Sequence, residues 1–196
     1  MRVLEVHPGT YEVAAAAVKL VTDRIQQAAS QESPFVLGLA TGSTMNPVFS
    51  RLVDQYQEGG LSFAGVEIFH LDEYWPLQAD DPAGFAASLD SLLVGQIDLN
   101  PGAFHSFPAR VEEADTASIC AAYRTSIASR GGVDLQLLGV GTNGHLAFNE
   151  PGSGLDSRAR KVKLDPETRA RMPEGVDYQQ ALTLGIADIL DSKEVL

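Results

Sequence analysis

The distribution of apolar residues along the chain predicts an alternation of strands and helices. Short, nearly continuous apolar runs are typical of strands covered on both faces, whereas apolar residues three and four positions apart indicate helices. Strands are predicted at residues 2–6, 34–40, 66–71, 133–140 and 160–164, the last being the most exposed. Helices are predicted at residues 10–25, 47–56, 82–93, 114–129 and 177–190.

This alternation predicts an α/β fold: a three-layer, Rossmann-like domain whose mostly parallel sheet carries helices on both faces. Without repeats or a linker, residues 1–196 are expected to form one domain. A last apolar segment, KEVL at residues 193–196, has the pattern of a further strand. Since the edge of a parallel sheet needs a partner or a cover, either this strand is very short or a C-terminal strand and helix are missing.

Composition narrows the possible partners. The formal net charge of −12 argues against nucleic-acid and anionic-membrane binding, both of which require a cationic surface. The single cysteine, Cys120, excludes an intramolecular disulfide and is expected to be a buried structural thiol. No apolar run has the length of a membrane span, and residues 1–13 lack the features of a signal peptide, which predicts a cytoplasmic protein.

Three polar loops follow predicted strands, and ligands of open α/β sheets bind beyond the carboxyl ends of such strands. The first loop is ATGSTMNP, residues 40–47. Gly42 allows a ligand to approach the backbone, and Ser43 and Thr44 place hydroxyls near a helix N-terminus, an arrangement that suits phosphate. The alternative is a tight turn in which Ser43 or Thr44 caps the helix.

The second loop is HLDEYWP, residues 70–76, in which Asp72 is a candidate base. An ionised, partly desolvated carboxylate close to a substrate carbon can carry out proton transfer. The alternative is that Asp72 and Glu73 form a carboxylate pair in a solvated loop, with side chains that point to opposite sides. His70 lies within the apolar strand and is expected to be a buried, hydrogen-bonded core residue.

The third loop is GVGTNGHLAFNEP, residues 139–151, which contains the pattern G-x-G-x-x-G. A dinucleotide-binding turn requires a helix directly after the third glycine, whereas Pro151, Gly152 and Gly154 interrupt any helix here, so NAD and FAD binding are not expected. Asn143, His145 and Glu150 instead indicate acid–base chemistry. No second metal ligand lies at a suitable spacing and no nucleophile elbow is present, so we expect neither a metal site nor serine hydrolysis.

The order of the segments LGLATGST, HLDEYW, GVGTNGHLAFNEP and ALTLGIADIL resembles the glucosamine-6-phosphate deaminase (isomerase) family over essentially the whole chain. The related 6-phosphogluconolactonases share the glycine-rich turn and its histidine but not the segment FNEP, residues 148–151, which favours a deaminase. A lactonase-like hydrolase and a non-catalytic sugar-phosphate-binding protein are the alternatives.

The resemblance implies a role for each candidate residue. His145 assists opening of the sugar ring, Asp72 moves a proton between C2 and C1 of the open chain, and Glu150 with Asn143 orients His145. Gly42, Ser43 and Thr44 match the phosphate-binding turn of the family. The substrate is a small sugar phosphate, and neither a metal nor an organic cofactor is implied. The oligomeric state is left open.

The chain departs from the family pattern at three places. Many relatives have Asp where this chain has Asn143, so a proton relay here runs through Glu150. In the short segment before ALTLG, Arg171 is the better candidate than Arg169 for the family's phosphate-binding arginine. A phosphate-binding lysine beyond the present C-terminus has no counterpart, which implies weaker substrate binding.

Overall fold

A computed structural model describes residues 4–79 and 81–196 of the chain. The strands are β1 (Phe35–Leu39), β2 (Val66–His70), β3 (Asp72–Trp75), β4 (Phe104–His105), β5 (Leu135–Leu137), β6 (Arg160–Lys163), β7 (Gln180–Thr183) and β8 (Glu194–Val195). The helices are α1 (Thr10–Ser30), α2 (Asn46–Gln57), α3 (Phe85–Leu92), α4 (Thr116–Ser129), α5 (Pro166–Arg169) and α6 (Ile186–Leu190), with 3₁₀ turns at Val94–Gln96 and Glu113–Asp115.

The central sheet has five strands in the order β4-β2-β1-β5-β8, and every pairing in it is parallel. Strand β1 (FVLGL) lies in the middle and is buried along its whole length, as its unbroken apolar composition predicts. Helices flank this sheet, which confirms the predicted α/β fold. The strands predicted at residues 34–40, 66–71, 133–140 and 193–196 are all present in it, with shorter limits.

A second, three-stranded antiparallel sheet has the order β3-β7-β6. The chain passes from one sheet to the other at Leu71, the residue between β2 and β3. Residues of β7 pack into both apolar clusters, since Leu182 belongs to the main core and Ala181 to a smaller cluster around Tyr74 and Phe148. The second sheet therefore holds the segment that begins with Asp72 against the main core.

Two predicted elements are wrong. The helix predicted at residues 177–190 is instead strand β7 followed by the short helix α6. The segment ALTLGIADIL is apolar at both strand and helix spacing, and its pairing with β3 and β6 decides for the strand in the first half. For the strand predicted at residues 2–6, residues 4–6 are not paired, with Leu4 and Val6 largely exposed, and residues 2 and 3 lie outside the described residues.

The remaining expectations concern the thiol and the membrane. Cys120 is buried in α4, where burial raises the pKa of its thiol, in agreement with a structural role. Within residues 4–79 and 81–196, no helix is both long and apolar enough to cross a bilayer.

Candidate active site

The three loops predicted to carry chemistry follow β1, β2 and β5, which are neighbours in the parallel sheet. Just beyond the strand ends, the Leu71 N–H donates to the carbonyl of Leu39 at 3.2 Å, and the Ala40 N–H donates to the carbonyl of Leu137 at 3.3 Å. These bonds continue the sheet to the start of each loop. The loops therefore emerge side by side at one edge, the position at which open α/β sheets bind ligands.

Asn143, His145 and Glu150 form one hydrogen-bonded cluster in the loop after β5. The amide of Asn143 donates to Glu150 Oε2 at 2.9 Å, and its Oδ1 accepts the backbone N–H of His145 at 3.1 Å. His145 Nδ1 lies 3.5 Å from the same Glu150 Oε2. Asn143 thus connects the histidine backbone to the carboxylate. Nδ1 of the imidazole lies beside that carboxylate but forms no hydrogen bond within the described residues.

The glycines of this loop create the space for the imidazole. A Cβ atom on Gly141 would lie 2.3 Å from Nε2 of His145, so the ring packs directly on the Gly141 backbone. Gly144 has a φ of +87°, a conformation that side chains disfavour, and its N–H donates to the carbonyl of Gly141. The G-x-G-x-x-G pattern therefore supports a histidine, and no helix follows it, as the sequence predicts.

Glu150 is also bound from the opposite side by the segment around α5. Its Oε1 accepts the Thr168 hydroxyl at 2.6 Å and the Asp165 N–H at 3.3 Å. A second contact joins the two segments, because the Thr142 hydroxyl donates to Glu167 at 3.1 Å. Thr168 was not identified from the sequence, since nothing in its local pattern indicates a partner 18 residues away.

Asp72 is linked to the histidine loop through strand β7. Asp72 and Thr183 are register partners in the antiparallel β3–β7 pair, so their side chains share one face of the sheet. The Thr183 hydroxyl accepts the Phe148 N–H of the histidine loop at 3.2 Å, and the buried amide of Asn149 donates to the carbonyl of Leu184 at 2.8 Å. Strand β7 therefore positions both the segment that begins with Asp72 and the histidine loop.

Both carboxyl groups of the second loop are buried, which rules out a solvated pair: Asp72 is 7% exposed and Glu73 is 1% exposed. They point to opposite sides, as predicted, because Glu73 turns to the start of α3 and accepts the N–H groups of Phe85 and Ala86, each at 2.9 Å. Desolvation, with a smaller contribution from the charge of Glu73, raises the pKa of Asp72 to about 8. Desolvation also raises the pKa of Glu73.

His70 is buried as predicted, but it is not satisfied. Neither ring nitrogen has a hydrogen-bond partner within the described part of the chain, and Nε2 lies 3.8 Å from Asp72 Oδ1. Burial lowers the pKa of the imidazole to about 3, so the ring is neutral at physiological pH. The local sequence correctly predicts burial but contains no information on partners.

We expect the burial of Asp72 to make the protein less stable as pH rises. The raised pKa means that the folded state holds this proton more tightly than the unfolded state. The stabilisation is therefore complete below about pH 4 and is lost on the way to about pH 8. Between pH 6.5 and 8 the free energy of unfolding should fall by at most about 1.4 kcal/mol per pH unit.

Urea unfolding of the wild type and of Asp72→Asn over that range measures the effect. The variant should show a flatter dependence, because His70 titrates only below this range and Glu73 is present in both proteins. Parallel curves for the two proteins would contradict a buried, protonated Asp72.

The loop after β1 leaves Gly42, Ser43 and Thr44 exposed in front of α2. Gly42 has a φ of +124° and open space around its Cα, and its carbonyl accepts the Met45 N–H. Helix α2 has no side-chain cap. The alternative in which Ser43 or Thr44 caps the helix is therefore wrong.

The two candidate arginines lie in different surroundings. Arg169 donates to Asp177 at 2.7 Å. Arg171 is more exposed, and within the described part of the chain its recorded ion-pair partner is Glu167, at 4.0 Å, the residue that also binds Thr142 in the histidine loop. Arg171 therefore lies beside the loop cluster with a weakly engaged guanidinium group.

The chain shows clear similarity to known proteins. Residues 8–196 match the family described as glucosamine-6-phosphate isomerases/6-phosphogluconolactonase. The glucosamine-6-phosphate deaminase of Beutenbergia cavernae is 43% identical over 93% of this chain and 72% of its own length. The glucosamine-6-phosphate deaminase of Shewanella loihica is 42% identical over 94% of this chain and 69% of its own length.

Solved structures show the same relationship. The structure of a monomeric glucosamine-6-phosphate deaminase superimposes with a TM-score of 0.90 and 33% identity. The match covers the whole of this chain and 80% of the other chain. The 6-phosphogluconolactonase of Trypanosoma brucei shares the fold, with a TM-score of 0.73 and 23% identity. This chain therefore belongs to the family of glucosamine-6-phosphate isomerases and 6-phosphogluconolactonases.

Proposed function

We propose that the chain is a glucosamine-6-phosphate deaminase, which converts glucosamine 6-phosphate and water to fructose 6-phosphate and ammonia. The observation that carries this proposal is the presence of two separate proton-handling groups, the His145–Glu150 pair and the buried Asp72, joined through β7. Aldose–ketose isomerisation requires a group for the ring oxygen and another for the carbon-bound proton. Deaminases at 42–43% identity support the same activity.

In the first step, His145 transfers a proton at the ring oxygen and opens the pyranose. An imidazole suits this step because its ordinary pKa lies near neutrality. Glu150, whose Oε2 lies 3.5 Å from Nδ1, is proposed to orient the ring during this transfer. Asn143 cannot take up a proton, so it serves to orient Glu150 and the backbone of His145.

In the second step, Asp72 removes the proton from C2 of the open chain and returns it to C1. The electron pair of the broken C2–H bond forms the C1=C2 double bond of an enol-amine, while the carbonyl oxygen on C1 takes up a proton. Return of the first proton to C1 leaves a protonated imine at C2. Water adds to that carbon, ammonia leaves, and the ketone of fructose 6-phosphate remains. A nearly dry carboxylate suits this role, because its raised pKa makes it a stronger base than an exposed one.

The phosphate of the substrate is proposed to bind at Gly42, Ser43 and Thr44, with Arg171 as the cationic partner. The backbone of Gly42 is open to a ligand, and the exposed hydroxyls of Ser43 and Thr44 supply donors in front of α2. A local cation is needed because the net charge of the protein is −12.

Replacing Arg171 should weaken substrate binding without affecting the chemistry. A charge-assisted hydrogen bond to phosphate contributes about 1.5–3 kcal/mol, so Arg171→Met should raise KM for glucosamine 6-phosphate at least about tenfold and leave kcat nearly unchanged. Arg169→Met is the matched control, because that side chain is engaged by Asp177. A larger effect on KM from Arg169→Met than from Arg171→Met would assign the phosphate to Arg169.

A coupled ammonia-release assay tests the activity itself. The wild type should release ammonia and form fructose 6-phosphate from glucosamine 6-phosphate, and should not accelerate opening of 6-phosphogluconolactone. Lactone hydrolysis without ammonia release would identify a lactonase. A thermal shift with glucosamine 6-phosphate but no turnover of either compound would identify a binding protein.

A further inference from the structure

His70 is a buried polar residue that the proposed mechanism does not use. It ends β2, is 0% exposed, and has both ring nitrogens without a partner in the part of the chain that the structure describes. Only its backbone is engaged, since the Tyr123 hydroxyl donates to its carbonyl at 2.8 Å. Buried polar groups are nearly always hydrogen-bonded, so an unpaired imidazole indicates a partner that is bound in another state of the site.

The arrangement around the ring identifies that partner. Nε2 lies 3.8 Å from Oδ1 of Asp72, so a shift of about 0.8 Å would form an ordinary hydrogen bond. The ring of Phe85 packs edge-on against the imidazole, at 6.0 Å between centroids. Among residues 4–79 and 81–196, His70 is the one side chain recorded as an ion-pair partner of the Asp72 carboxyl group.

The other ionisable groups near the pair do not replace His70. Glu73, on β3, is held by the start of α3 and adds only a like charge. The Tyr123 hydroxyl, from α4, is committed to the carbonyls of His70 and His105. Burial and the charge of Asp72 raise the pKa of Tyr74, on β3, so its phenol stays neutral and adds no charge near the pair. Helix α3 contributes the ring of Phe85, which does not titrate.

We propose that His70 is a positioning residue for Asp72, and that its neutral imidazole donates the Nε2 hydrogen to Oδ1 of the ionised carboxylate. This role deepens the proposed deaminase function and rests on it. A neutral donor stabilises the carboxylate and leaves the carboxylic acid comparatively unaffected. The bond forms when Asp72 is ready to accept the C2 proton and lengthens towards the observed 3.8 Å when the carboxyl group is protonated. It also fixes the direction in which the other oxygen, Oδ2, faces the substrate.

The tautomer of His70 tests the proposal without any activity measurement. The sequence contains four histidines, so ¹⁵N spectra of histidine-labelled wild type are simple, and His70→Gln identifies the His70 signals. We expect a neutral ring with its hydrogen on Nε2 from pH 6 to 9. A hydrogen on Nδ1 throughout that range would overturn the proposal, because Nε2 could then not donate.

The second test is the titration of Asp72, which ¹³C spectra of the aspartate carboxyl groups can monitor. The Asp72 signal is the one that is missing from the spectrum of Asp72→Asn. His70→Phe removes the donor and should raise the midpoint of Asp72 by about one pH unit. His70→Gln retains a donor and should restore most of the difference. His105→Gln is the matched control, because His105 is paired with Glu67 at 2.7 Å. An unchanged midpoint in folded His70→Phe would overturn the proposal, and if that variant does not fold, the wild-type tautomer decides.

Kinetics provide the readout that a merely structural role would not change. His70→Phe should move the acid limb of the kcat profile to higher pH by the same amount and lower kcat at pH 7 about tenfold, with KM within about twofold. A uniform loss at all pH values would contradict the proposal. A shift of the Asp72 midpoint in a protein that releases no ammonia would support the hydrogen bond and contradict the deaminase function, so the two failures are distinguishable.

Discussion

Asp72→Asn is expected to abolish ammonia release from glucosamine 6-phosphate while leaving substrate binding almost intact. The amide has the size of the carboxyl group but cannot accept the C2 proton, and general acid–base catalysis contributes about 10²–10⁴-fold to rate. We therefore expect kcat to fall by about 10³-fold or more, with the dissociation constant for the substrate changed by less than about threefold. Single-turnover rates and calorimetric titration of the same protein measure the two quantities.

The same chemical change at an exposed site serves as the control. Asp23→Asn lies on α1 and only breaks a surface pair with Lys19, so it should retain wild-type kinetics. Because Asp72 is a destabilising buried acid above neutral pH, the inactive variant should also be at least as stable as the wild type at pH 8. Substantial turnover by Asp72→Asn would remove Asp72 as the base and reopen the lactonase interpretation.

Gly141→Ala is expected to cause the second largest loss of activity, although it adds a single methyl group. The new Cβ would lie 2.3–2.5 Å from three atoms of the His145 ring, so the imidazole has to leave its position beside Glu150. Displacement of a catalytic group by about 1 Å costs about 10²-fold in rate, and we expect a loss of that size in kcat. The flexible histidine side chain can swing away, so the fold should remain intact.

Gly139→Ala is the matched control in the same loop, because a Cβ atom at Gly139 would have no atom within 4 Å. The control should retain nearly full activity, whereas Gly141→Ala should not. Circular dichroism and the midpoint of thermal unfolding establish that both variants are folded. Equal activity of the two variants would show that the position of the His145 ring is not important for turnover.

The sequence predicted four of the five parallel strands and the loops that follow them, because these features depend on local composition, but it did not predict β4. Strand β1 reads as apolar at every position because both faces are covered. The alternation of strands and helices predicts that the neighbouring strands run parallel to β1. The carboxyl ends of parallel strands lie at one edge of the sheet, so the loops that follow them were expected to meet there. Asp72, Asn143, His145 and Glu150 are polar residues of loops that follow buried strands, which is why the sequence indicates them.

The second sheet could not be predicted in the same way. Residues 177–190 contain apolar positions at both periods, and antiparallel pairing with β3 and β6 makes residues 180–183 a strand. Without that strand, Thr183 is an ordinary residue of an apolar segment. With it, Thr183 becomes the register partner of Asp72 and the acceptor for the Phe148 N–H, and so connects the two loops.

What the sequence determined by itself is therefore the fold class, the three loops and the types of residue that they carry. The tertiary structure decided the environment of each group: Glu73 is held by α3, Thr168 binds Glu150, and His70 lies buried and unpaired beside Asp72. The reason is physical. Apolar periodicity and glycine conformations act over a few residues, whereas desolvation and hydrogen bonding depend on segments that are distant along the chain and meet only in the folded protein.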